Sequence, residues 1–129
     1  MKRIFLACCI IATSYTVTMA QSAQTSTTNT VDKAAFIAKI NQLNTFLSAG
    51  DSISAAPVFK DLKVMMGKQL GTCKEGIGVA ATQDEKTRIL NKLRDEQTYY
   101  SHVMIASHQG IIANRATINT NLQSFSQSL

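Results

Sequence analysis

One cysteine sits inside the stretch "GKQLGTCKEGIG", Gly67 to Gly78, among four of the chain's six glycines. A thiol beside Lys74 has a cation that favours its thiolate. Glycine-rich segments also cradle phosphates. A Walker-type loop, however, needs G-x-x-x-x-G-K-[ST] between a strand and a helix. Gly71 and Gly76 have that spacing, but Ile77 and Gly78 stand where Lys and Ser/Thr are required. The spacing therefore predicts a loop between two helices, with Cys73 as an exposed thiol. Nucleophilic chemistry at Cys73 would also need a base. His102 and His108 reach it only if the fold brings them.

Those two histidines are six residues apart, about 240° round a helix, so they do not form a two-histidine metal site on one helix. No C-x-x-C-H haem-attachment motif occurs. Met65, Met66 and Met104 read as core rather than haem ligands. No cofactor and no metal are expected. Arg115 lies between Ile111 and Ile118 on an apolar stripe. It either snorkels at the end of a helix or meets a buried partner. Gln97 is the candidate for the second role, making Gln97 and Arg115 a candidate inward-facing polar pair. No catalytic constellation is visible, so a non-enzymatic protein is expected.

These residues must be positioned by helices, because the apolar spacing is helical throughout. The first helix is expected over about 31–49, with Thr30 as N-cap. Phe36, Ile40, Leu43 and Leu47 fall within about 60° of one another, and Gly50 supplies the stop. The second is expected over about 55–70. Ser54 caps it and Pro57 falls in its first turn. Its face is Val58, Phe59, Leu62, Met65, Met66 and Leu70.

The third is expected over about 84–107, with Asp84 and Glu85 at its positive end. Its face is Ile89, Leu90, Leu93, Tyr100, Val103 and Met104. Asp95 and Glu96 are assigned to its polar side with Lys86, Arg88, Lys92 and Arg94. The fourth is expected over about 111–125, through Ile111, Ile118, Leu122 and Phe125. A break near 108–110 gives four helices and a closed core. The alternative is one helix over 84–125, about 63 Å long. The fold class is all-α, a small antiparallel four-helix bundle, with three helices as the alternative.

The N-terminus reads "MKRIFLACCIIATSYTVTMAQ". Lys2 and Arg3, the apolar run 4–12 and Thr18-Met19-Ala20 are the three parts of a secretory signal peptide. The apolar run is far below the ~20 residues that span a bilayer. Residues 1–20 are therefore expected to be cleaved, leaving no stable membrane span. "FLAC", ending at Cys8, only partly resembles a bacterial lipobox, because four residues after Arg3 are too few for an apolar core. Removal of the leader takes Cys8 and Cys9 with it, so Cys73 has no internal disulfide partner. It is then free, capped or paired between chains.

Residues 21–30, "QSAQTSTTNT", have a disordered-tether composition, and 31–129 form the bundle domain. The full chain carries 13 Lys and Arg against 8 Asp and Glu, without the basic block that tracks a phosphate backbone. Nucleic acid is not an expected partner. "DSI", Asp51 to Ile53, resembles the Asp-Ser/Thr-aliphatic acceptor of O-glycosylation in the Bacteroidetes, which makes Ser52 a candidate glycosylation site. A mature end at Gln21 is similar to exported proteins of that group.

The expectation is an exported bacterial protein, periplasmic or extracellular. It acts through helix-mediated interaction with a protein partner, through self-association, or as a structural envelope component. The alternative is a small-ligand or haem carrier that uses the bundle interior.

Overall fold

The computed structural model describes residues 30–129. The candidate leader, Cys8, Cys9 and tether residues 21–29 lie outside the described residues. Four helices follow one another: α1 (Lys33–Ser48), α2 (Ser52–Val79), α3 (Gln83–His108) and α4 (Arg115–Ser128). Among the described residues there is no strand. Each helix packs on two neighbours, α1 on α2 and α4, α3 on α2 and α4, closing a ring around one core. Short connections make neighbours antiparallel. Lys39 to Asp61 ties α1 to α2, Asn44 to Asn119 ties α1 to α4, and His102 to Asn121 ties α3 to α4.

Local chemistry places most of the ends. Asp32, rather than Thr30, caps α1, its carboxylate accepting from the Ala34 N–H at 2.9 Å. Gly50 adopts φ +71°, the left-handed conformation that ends a helix cheaply only at glycine. Asp51 caps α2 three residues earlier than expected, accepting from the Ser54 N–H at 3.0 Å. Hydrogen bonds from the Ser54 side chain and backbone hold its carboxyl below the usual range. Pro57 therefore falls in the second turn rather than the first, on the exposed side.

Thr82 caps α3, and Glu85 reaches back to the Ala81 N–H at 3.1 Å, close to a capping box. The break after His108 is present. Gly110 stands at φ +108° and residues 111–114 form turns, so α4 begins at Arg115 and not at Ile111. Ile111 packs on the core from that turn.

Phe36, Ile40, Leu43, Leu47, Leu62 and Met66 meet Val103, Ile118, Leu122 and Phe125 in the interior, all nearly or wholly buried. The Phe36 and Phe125 rings lie 5.5 Å apart, tilted by 37°, a geometry that adds to simple area burial. Leu90 is 44% exposed and does not join the α3 face.

The largest departure from expectation is the glycine-rich stretch. It is not a loop: α2 runs unbroken from Ser52 to Val79, 28 residues, through Gly67, Gly71, Gly76 and Gly78. Each glycine costs a helix about 1 kcal/mol relative to alanine. Packing on α3 offsets that cost. Gln69 and Cys73 continue the buried stripe of Leu62 and Met66, and the Gly76 Cα hydrogen side faces Ile89, whose Cδ1 lies 3.6 Å from where a Cβ would stand.

Candidate functional site

Helix lengths create the site. α2 and α3 have 28 and 26 residues, whereas α1 and α4 have 16 and 14. At 1.5 Å per residue the long pair outruns the short pair. Thr30, just ahead of α1, borders a groove with Gln69, Cys73 and Lys92, and Ser128, at the end of α4, reaches Glu96. The four-helix section therefore ends at the level of Gln69 and Glu96. Beyond it, α2 to Val79 and α3 from Gln83 continue as a two-helix extension, about 15 Å long.

A buried polar cluster marks this step. Glu96 is fully buried, a position that a carboxylate tolerates only with partners. It has three donors. The Gln69 Nε2 lies 3.3 Å from its Oε1, the Ser128 hydroxyl 3.0 Å from the same atom, and the Cys73 thiol 3.2 Å from its Oε2. The Lys92 Nζ stands 3.8 Å away, one turn back on α3. Ser128 has a single proton, which its position shares between Glu96 and the Phe125 carbonyl at 2.7 Å. Among the described residues no buried side-chain polar atom lacks a partner.

The cluster sets the chemistry of Cys73, which is 7% exposed. Burial pushes its thiol up, and the Glu96 carboxylate pushes it further by accepting its hydrogen bond and by its charge, to about 11. Lys92 opposes this only weakly, and the expected partner Lys74 is exposed on another face. Cys73 is thus a protonated hydrogen-bond donor. The exposed, thiolate-prone cysteine expected from sequence is corrected on both counts, because the segment is helix and its inward side faces α3. Both histidines are exposed, on the half of α3 that belongs to the four-helix section. Among the described residues no group of three or more His, Cys, Asp or Glu could hold a metal.

The other candidates stay apart. Gln97 and Arg115 are both exposed. Gln97 also lies level with the end of α4, since its neighbour Glu96 meets Ser128, whereas Arg115 is the first residue of α4. Arg115 is the first residue of α4 and opens to solvent at the bundle end, beside Asn44 and Ser48. The residue on the α3 stripe is Glu96, one position before Gln97. Ser52 is the exposed first residue of α2. Its neighbour Asp51 is engaged as the helix cap, which is a structural use of the same short motif.

Sequence reasoning missed Gln69, Glu96 and Ser128 as site residues. A signal existed for two. Gln69 and Cys73 follow Leu62 and Met66 at three- and four-residue steps, and Glu96 lies between Leu93 and Val103 at steps of three and seven. Glu96 is grouped with the polar side of α3 because of its charge, and Gln69 is left out of the α2 face. Ser128 has no such pattern.

The groove above the cluster has a volume of about 220 Å³. Ile89, Gly76 and Cys73 line its floor, and Arg88 and Lys92 stand on its α3 side. Compared with protein-family models, with curated proteins and with solved structures, the chain has no significant match.

Proposed function

We propose that this chain is an exported, non-enzymatic bundle protein that acts through helix-mediated protein interaction, in recognition or in a structural role at the envelope. The two-helix extension carries this reading. Helices in soluble proteins bury their apolar stripe against a second layer. On the extension, Thr30, ahead of α1, borders that stripe together with Gln69, Cys73 and Lys92. Val79, 83% exposed, and Leu90 add apolar surface there. The thiol in this region is held protonated, which supports binding over covalent chemistry.

The test is a photo-crosslinking residue placed singly at Ile77, on the extension, and at Ile53, at the opposite end of α2. A discrete protein adduct in the native envelope is expected from Ile77 and not from Ile53. Equal or absent adducts at both positions would remove the reading. Export rests on the leader signature, and mass spectrometry of the native protein should find Gln21 first. An intact Met1, or lipid on Cys8, would contradict it.

A further inference from the structure

Resting on the interaction reading above, we infer that the groove between α2 and α3 on the extension docks an acidic amphipathic helix of a partner protein. The groove continues the line on which α1 and α4 cover α2 and α3 lower in the bundle. About three turns of helix match its ~15 Å length. The floor is apolar, made by Ile89 with Gly76 and Cys73 opposite.

Charge selects the occupant. Arg88 and Lys92 stand one turn apart on the α3 wall, while the α2 wall offers Thr72 and Gly76. Among the described residues Arg88 has no ion-pair partner, and Lys92 has only the 3.8 Å approach to Glu96, which already accepts three hydrogen bonds. A helix with carboxylates at i and i+4 beside its apolar stripe meets both cations. A second copy of this chain does not. Two extensions laid antiparallel overlap along their length. That overlap brings Arg88 and Lys92 of each copy against the same pair of the other, and like charges across an interface are costly. The chain's own N-terminal residues 1–29 contain no Asp or Glu, so they bring no complementary charge.

The probe is a synthetic 14-residue helix-forming peptide with a Leu/Ala stripe flanked by Glu at i and i+4. Its control has Lys at both positions. Each is titrated into the isotope-labelled full chain and followed by amide chemical shifts. The Glu peptide should shift residues 69–77 and 88–93, and Arg88→Glu should weaken it by about tenfold or more. The Lys peptide should gain affinity for Arg88→Glu, a rescue that mere damage to the fold cannot produce. Circular dichroism checks that this exposed substitution leaves the bundle intact. Equal binding of both peptides, or binding of neither, overturns the inference. So does saturation of the groove by octanoate without peptide binding, which would make it a small-carboxylate site. Failure of the peptide with persistent Ile77 adducts sinks the acidic-helix assignment alone. Loss of both sinks the interaction reading as well.

Discussion

A thiol reagent at pH 8 tests the extension at its most informative atom. With its thiol moved from 9.0 to about 11, Cys73 is ~0.1% thiolate at pH 8 rather than ~10%, a loss of roughly 90-fold. Its 7% exposure slows the reagent further. Native labelling should therefore run at least about two orders of magnitude slower than labelling in 6 M guanidinium. The gap should narrow as pH approaches 11. Glu96→Gln removes the charge that adds to the effect of burial on the thiol, and should accelerate native labelling without unfolding the protein.

The same shift has a signed effect on stability. Below about pH 9 both folded and unfolded states hold the thiol proton, so its contribution is complete and constant. Between 9 and 11 the unfolded state loses the proton first, and the contribution falls. Wild type should lose stability through that window relative to Cys73→Ser. Native labelling within several-fold of the denatured rate would refute this account, since it would put Cys73 in an open loop.

Three further substitutions probe the frame. Gly71→Ala should stabilise the protein by about 0.5–1 kcal/mol in urea denaturation, because Gly71 is helical with open space where a Cβ would stand; destabilisation would mean that the segment is not helix. Leu43→Ala, at a fully buried site, should cost ~2–5 kcal/mol, and a loss below about 1 kcal/mol would place it on a surface. Glu96→Ala strands Gln69, Cys73 and Ser128 without their acceptor and should cost about 2–4 kcal/mol, read as a shifted denaturation midpoint; a neutral outcome would mean that water replaces the carboxylate freely.

Much of the fold is legible in local pattern. The stripe Phe36, Ile40, Leu43, Leu47 marks α1, and all four are buried. Gly50 and Gly110 stop helices because their positive φ excludes a side chain, a requirement carried by one residue and its backbone. Asp51 and Thr82 start helices by bonding N–H groups three residues ahead. Such signals act over a turn or less and lie within reach of a linear reading, though that reading named Ser54 in place of Asp51 and erred by four residues at the start of α4.

The stretch from Gly67 to Gly78 and the cluster beneath the groove depended on tertiary structure. Local propensity favours a loop at four glycines. A partner helix reverses that preference, because burying the Gln69 and Cys73 side of α2 on α3 outweighs a few kcal/mol of backbone entropy. Glu96 reads as a surface charge until Gln69, 27 residues away, Cys73, 23 away, and Ser128, 32 away, converge on it. Whether a carboxylate stays buried depends on the donors that surround it. Those donors lie on two other helices, and only the closing of the ring by α2 and α4 around α3 brings them within hydrogen-bonding distance.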